Sequence, residues 1–445
     1  MSAALAGSER SASARSSERQ LLVLAVLIVF GAYLLLGLSQ APRIAAGTFV
    51  FGGALAILAA VAHASVRRFA PDADALLLPA AFLVNGVGLV IVRRIDFARG
   101  TDLAVAQTTW TVVGVGLFAL TLLTVTDHRR LTRFSYTFGL ATIALLLLPL
   151  LPVIGREVGG ARLWIRVGPL NFQPGEIAKL TLVVFLAGYL EQKRALLSVA
   201  TQRVGPLLLP PPRHLAPVVA AAGTALGILV FQRDLGSSLL LLGVFVVLLY
   251  TATGRLAYPA IGLSVFAGGA GIAYLMFGHV RTRFNIWLDP WADVTGEGFQ
   301  IAQSLFALGT GGLTGAGLGL GRPHNIPAAA TDAIFAVLGE ELGLLGGAAI
   351  LLTFLLIVAK GFKTALTATD EVGTLLATGL TTILALQTFL IIGGITRLIP
   401  LTGIALPFLS YGGSALVGNY ILLALLVRIS DDARGSAYAT RRDSP

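Results

Sequence analysis

The sequence predicts an all-α polytopic membrane protein with about 12 transmembrane helices and one long outer loop. Three observations lead there. Of 445 residues, 56% are apolar and only 12% are charged. The mean hydropathy is +0.85. Apolar runs of about 20 residues, the length a helix needs to cross a bilayer, recur along the chain. In lipid each run must satisfy its own backbone, which makes it a helix. The 52 glycines suit close helix packing. This balance excludes a soluble enzyme, a disordered chain and a nucleic-acid-binding domain. Cysteine is absent, so there is no disulfide, thiol nucleophile or cysteine-based zinc site. His63, His128, His214, His279 and His324 are scattered without ligand spacing, and no metal site is expected.

In chain order, residues 1–20 form a polar Ser/Ala/Arg-rich tail that resembles a disordered segment rather than a signal peptide. An N-terminal membrane block covers 21–154, with spans near 21–39, 44–66, 75–93, 104–125 and 134–154. A second block covers 155–428, with spans near 176–191, 215–231, 235–251, 257–277, 335–359, 373–396 and 405–428. Residues 429–445 form a polar tail that dresses the surface.

An even number of spans puts both termini on one side. That side holds 19 Lys and Arg residues against 12 on the other, which favours cytoplasmic termini. Arg93, Arg94 and Arg99 run against the bias. The long segment 278–334 then faces outward, and chemistry built there acts on the outer face of the cytoplasmic membrane.

Ionisable residues inside a membrane are functional candidates, because an unpaired charge there is costly. Glu176 and Lys179, three apart, can pair on one helix face. The pair reads either as a structural lock or, with Arg162, as a phosphate-attracting site. Gln232-Arg233-Asp234-Leu235-Gly236 is a tight polar turn on the outer side, and spacing alone does not separate a plain hairpin from a site. Trp287-Leu288-Asp289-Pro290-Trp291 fits the headgroup level. The segment 298–306, containing Gln300, has apolar residues at helical spacing and is expected to lie along the surface. The glycines between 309 and 321 lack the Lys-Ser/Thr of a phosphate-binding loop, which argues against nucleotide binding.

Thr331 and Asp332 precede the next span. Asp332 reads as a helix cap or as a lone carboxylate at the water–lipid boundary, suited to act as a general base. Glu340 lies about 12 Å further up the helix, too far to act on the same atom. Around Arg397, Pro and Gly residues break the backbone through Ser414, which is tolerated only beside protein or a wet cavity. Arg162, Lys179, Arg233 and Arg397 are candidates for a positive field that holds a pyrophosphate. Trp164, Gln300 and Ser414 complete the candidate substrate-binding set.

Five motifs recur in order: the Arg/Trp block with Gln173-Pro174-Gly175-Glu176 and Lys179; Gln232-Arg233-Asp234-Leu235-Gly236; Asp289-Pro290-Trp291 with Gly296-Glu297-Gly298-Phe299-Gln300; Thr331-Asp332-Ala333-Ile334-Phe335 with Gly339-Glu340-Glu341-Leu342-Gly343; and Leu406-Pro407-Phe408-Leu409-Ser410-Tyr411-Gly412-Gly413-Ser414. Over about 160–425 the chain resembles the SEDS family (shape, elongation, division and sporulation), which contains RodA and FtsW. The resemblance implies a catalytic core of ten spans, with two extra spans before residue 160. It implies a peptidoglycan glycosyltransferase that polymerises lipid II, with a class B penicillin-binding protein as partner and no cofactor, leaving room for an assisting divalent cation. The family's catalytic aspartate falls on Asp332. Ala328, Ala330 and Ala333 stand where the family usually has Glu, His and Phe, so no helper role is available there. The extra spans tilt the reading toward the elongation branch. A lipid-precursor flippase or transporter is the alternative, and a non-catalytic scaffold is a third reading. A flippase fits less well, since no paired broken helices recur in two related halves.

Overall fold

The computed structural model describes residues 2–41, 44–152, 154–158, 161–168, 170–198, 202–204, 207–209, 212–232 and 234–442. A helix occupies each of the twelve expected positions. In chain order the helices are α1 (Ser2–Gln40), α2 (Ala46–Phe69), α3 (Leu77–Arg99), α4 (Leu103–Thr124), the single turn α5 (Arg129–Thr132), α6 (Ser135–Leu147), α7 (Gly175–Ser198), α8 (Pro212–Phe231), α9 (Leu235–Thr253), α10 (Ala257–Met276), α11 (Gly278–Leu288), α12 (Phe299–Gly311), α13 (Ile334–Thr367), α14 (Glu371–Ile395) and α15 (Gly413–Arg442). Among the described residues, nine helices are long and apolar enough to cross a membrane. The protein is a multi-pass membrane protein.

Two small antiparallel sheets interrupt the helices. The first joins β1 (Gly155–Val158), β2 (Ala161–Val167) and β3 (Leu170–Phe172). Arg156 pairs with Trp164 and Ile165 with Phe172, and Gly168 turns the chain at φ +61°. The second joins β4 (Gln202–Val204) to β5 (Leu207–Leu209). Both lie between expected spans, where the backbone is free to leave the helix.

Both ends of the chain are more ordered than a tail reading implies. α1 is already helical from Ser2. Its polar stretch packs on α2: Glu18 accepts from Arg15, and its other oxygen lies 2.7 Å from His63 Nδ1. A charged turn with partners on a neighbouring helix has a reason to stay helical. At the other end α15 continues to Arg442. Asp431 accepts from the Asp72 N–H at 2.7 Å, and Arg434 pairs with Asp74. The last span also begins later than the hydropathy suggests, at Gly413, because 401–412 forms an irregular loop.

The chain divides into two compact units. One comprises residues 1–126, 278–360 and 387–445, the other 127–277 and 361–386. In the first, α3 and α15 are the most enclosed helices, with 83% and 89% of their apolar windows buried. Glycine permits the close approaches: a Cβ on Gly114 would meet the Tyr420 ring at 2.5 Å, and one on Gly88 the Leu409 carbonyl oxygen at 2.5 Å. Asn85 joins both contacts, donating to Phe408 O at 3.2 Å and accepting from the Tyr420 hydroxyl at 3.2 Å.

Loops expected on one side meet within each unit. In the second unit, Asp370 lies 3.1 Å from both His128 Nε2 and Arg129 Nη2, and Arg194 pairs with Glu371 at 2.7 Å. In the first, Lys360 and Arg434 both reach Asp74. At the opposite ends of those helices, Arg94 donates to Glu341 Oε1 at 2.6 Å and to Gly321 O at 2.7 Å, while Arg99 donates to the carbonyls of Pro323 and Ile326. Two of the three arginines that run against the charge bias are therefore spent on holding the 312–334 loop.

Candidate active site

Asp332 sits in the turn before α13, half-buried. No backbone N–H of the following helical turn donates to its carboxylate among the described residues, so capping does not occupy it. Two segments hold it in place. Ala328, at φ +48°, accepts from the N–H groups of Thr331 (3.0 Å) and Ala333 (3.1 Å). From the 401–412 loop, Tyr411 N–H donates to Ala330 O at 2.7 Å and the Ser410 hydroxyl to Thr331 O at 2.7 Å. Ser410 also accepts from Leu406 N–H at 3.0 Å, which closes its own loop. Gln107 on α4 supports the same loop, donating to Ser410 O at 3.1 Å and accepting from Gly412 N–H at 3.2 Å.

Arg283 on α11 completes the setting. Its Nη1 donates to Thr402 O at 3.1 Å and Leu401 O at 3.4 Å. A Cβ on Gly403, which adopts φ +73°, would lie 3.5 Å from Arg283 Nη2 and 3.7 Å from Asp332 Oδ2. Glycine thus leaves open the space between the guanidinium and the carboxylate. Burial pushes the Asp332 carboxyl up to about 6, against the Arg283 charge and the Thr331 hydroxyl, which both pull it down. A carboxylate at that value is mostly ionised at neutral pH and takes a proton more readily than an ordinary one. Among the described residues, three non-glycine residues adopt a positive φ: Ala328, Arg397 and Phe408. All three lie in the segments that frame this site, where strain is commonly held.

The glycine-rich stretch does a different job from holding phosphate. Its N–H groups are taken by α13: Ala316 and Gly317 donate to the carbonyls of Glu340 and Glu341, and Gly319 donates to Glu341 Oε2 at 2.9 Å. A Cβ on Gly311 would sit 1.9 Å from Gly339 O, and one on Gly315 2.2 Å from Glu341 O. Only glycine lets this segment lie against the helix. α13 itself breaks at Gly343 (φ 67°, ψ −169°), and the N–H groups of Leu344 and Leu345 donate across the break to Gly312 and Leu313. Asp332 therefore precedes a short first helical segment rather than one unbroken span.

The other sequence candidates are dispersed. Arg397 clamps the end of α11: its Nε donates to Trp287 O at 2.8 Å, its Nη2 to Leu288 O, and Trp287 Nε1 returns a bond to Arg397 O at 3.2 Å. Those bonds take up its Nε and one Nη2 donor. Ser414 is buried in the first turn of α15, and the serine of this motif that reaches the Asp332 segment is Ser410. Gln300 begins α12 with its Nε2 buried and without a hydrogen-bond partner among the described residues. In the second unit, Lys179 Nζ donates to Glu176 Oε2 at 2.7 Å with both side chains nearly enclosed. The pair is close to Asp234, whose carboxyl burial pushes up and which caps α9 by accepting from Ser237 N–H at 2.9 Å. A lysine so enclosed has its partner already. Arg162 and Trp164 lie on β2, Arg162 exposed and 3.2 Å from Glu157. Arg233 lies outside the described residues.

The family model described as a cell cycle protein, of the FtsW, RodA and SpoVE type, matches residues 74–435. The chain belongs to this SEDS family. The match begins just before α3, so α1 and α2 stand outside it. The peptidoglycan glycosyltransferase RodA of Mycobacterium tuberculosis is 46% identical over 427 residues, covering 94% of this chain and 91% of that protein. A solved structure described as a peptidoglycan synthase complex coordinating polymerization and crosslinking contains a similar chain, with TM-score 0.66, 27% identity, and 81% and 98% of the two chains covered. The crystal structure of the rod-shape-determining protein RodA of Thermus thermophilus has TM-score 0.58 and 26% identity over 81% and 97%. Sequence reasoning missed Arg283 and Ser410. Ser410 sits inside the fifth motif and Arg283 outside all five, and nothing in the spacing says which polar side chain faces Asp332.

Proposed function

We propose that the protein is a RodA-type peptidoglycan glycosyltransferase that polymerises lipid II at the outer face of the cytoplasmic membrane, with both termini cytoplasmic, in cell elongation. The similarity to a RodA along nearly the whole chain carries this reading. A class B penicillin-binding protein is the partner that a synthase joining polymerisation to crosslinking requires.

Asp332 is the general base. The acceptor sugar hydroxyl attacks the anomeric carbon of the donor, the new glycosidic bond forms, and Asp332 takes the hydroxyl proton. The bond to the polyprenyl pyrophosphate breaks with inversion, and its electron pair leaves on an already stable anion. No acid is needed on the leaving side, so one carboxylate suffices where glycoside hydrolases use two. Arg283 keeps Asp332 ionised near neutral pH, and Ser410 and Tyr411 fix its height. Gln300, Arg162 and Trp164 remain candidates for contacts with the sugars and phosphates, through a free amide, a guanidinium and an aromatic face. The reaction needs no cofactor for its proton balance.

Purified protein with labelled lipid II tests this. Glycan chains are the expected product. Translocation of the lipid without chains would instead support a flippase.

A further inference from the structure

Of the three arginines at the outward end of α3 and its loop, Arg94 and Arg99 hold the 312–334 segment. Arg93 has a different setting. Its Nε is buried without a hydrogen-bond partner among the described residues. Its Cζ stacks 4.4 Å over the Phe97 ring, which uses a face of the guanidinium and leaves its in-plane N–H edge to donate. The side chain lines a shallow, open groove with Tyr33, Phe51, Leu89, Val105 and Thr108. Tyr33 and Phe51 stack at 3.9 Å with their planes 14° apart and form one wall. Val105 (62% exposed) and Phe97 (41%) mark the side open to lipid.

The depth of the groove follows from helix geometry. Tyr33 lies roughly 10 Å below the end of α1, Phe51 roughly 8 Å below the start of α2, and Arg93 roughly 9 Å below the end of α3, at 1.5 Å per residue. All are measured from the same ends of these helices, the ends that hold the 312–334 loop through Arg94, Arg99 and the Gln40 amide, which donates to Gly319 O at 3.4 Å. That depth is where a long basic side chain reaches the headgroup layer.

We infer that this groove holds a membrane glycerophospholipid, its phosphodiester on the Arg93 N–H edge and an acyl chain along the Tyr33–Phe51 wall. An unpaired guanidinium at that depth is costly, and a phosphate oxygen pair matches its fork of donors. One cation in the groove balances one phosphodiester charge, whereas a pyrophosphate would bring at least two. One wall of the site comes from α1 and α2, the helices outside the family match, so the groove as a whole is an addition to the shared core.

Native mass spectrometry of the full chain released from nanodiscs of mixed phosphatidylglycerol and phosphatidylcholine, with undecaprenyl pyrophosphate added, tests the inference. The protein should retain one phospholipid. Arg93→Gln should lower that retained fraction roughly tenfold or more, as loss of a charge-assisted bond implies. Val105→Trp, which fills the groove from its open side without touching the arginine, should do the same. Retention unchanged in both variants, or retention of the undecaprenyl carrier in place of the phospholipid, would overturn it.

Discussion

Arg283 stands beside Asp332 without forming an ion pair with it. Both reach within 4 Å of the point where a side chain on Gly403 would begin, at 3.5 Å and 3.7 Å. The guanidinium is anchored on the carbonyls of Leu401 and Thr402 instead. A direct pair would hold the carboxylate's lone pairs and depress its proton affinity. A charge held slightly apart keeps the group ionised while leaving an oxygen to accept a proton.

Asp332→Asn removes the proposed base with little change in size. Polymerisation of lipid II should fall by roughly 10²–10⁴. The same variant should be more stable. A carboxyl raised from 3.8 to about 6 binds its proton more tightly when folded. Its ionised form therefore opposes folding, by about 3 kcal/mol above pH 6 and not at all below the unfolded value. Thermal unfolding in detergent at pH 7.5 should show a higher Tm for the inactive variant. An equal or lower Tm would show that the carboxylate is not strained there.

The rate should depend on pH with one acidic limb. Catalysis needs the ionised form, so the rate is high above about pH 6 and falls as pH drops through that value. Removing the Arg283 charge with Arg283→Gln takes away a force that lowers the value, and the limb should move to higher pH. Initial polymerisation rates from pH 5 to 9 check both. A limb left in place by Arg283→Gln would rule out the electrostatic role.

Ser410→Ala deletes the hydroxyl that bridges Leu406 N–H and Thr331 O, in a side chain only 3% exposed. Stability should drop by about 1–3 kcal/mol, the cost of leaving buried partners unpaired. The carboxylate moves while the substrate-contacting groups do not, so kcat should fall more than KM rises. A pure KM effect would place Ser410 in binding instead.

Arg94 and Glu341 form a buried pair that ties α3 to the glycine-rich loop. Arg94→Met or Glu341→Gln alone leaves a buried partner unmatched and should cost on the order of 3–5 kcal/mol. The double change should cost less than the sum of the two. Folded yield and Tm of the three variants give the coupling, and strict additivity would show that the two do not interact.

The chain lacks cysteine, so single introduced thiols report sidedness cleanly. Glu297→Cys should react with an impermeant reagent on intact cells, and Arg130→Cys only after permeabilisation; both positions are exposed. Glu297 is preferable to Gly296, where a Cβ would meet the Asp293 carboxylate at 2.2 Å. The reverse pattern would invert the orientation and remove Asp332 from the outer face.

Hydropathy missed the short α5 and α11 and the late start of α15 at Gly413, but it alone located the apolar helices. Each apolar run must become a helix in lipid whatever its neighbours are, so those features are local. Asp332 was legible for a related reason, as an ionisable group at the end of an apolar run. The residues that surround it were not. Arg283, Gly403 and Ser410 come from three separate segments, and their meeting depends on how helices pack, which hydropathy does not encode. The same limit explains Arg397, an arginine at the expected depth whose donors go to two backbone carbonyls. It also explains the strand 161–167, where alternating residues carried a period-two signal beneath the charges. Tertiary structure decided which polar groups are spent on backbone and which are left for chemistry, because a hydrogen-bond partner is a property of space rather than of sequence order.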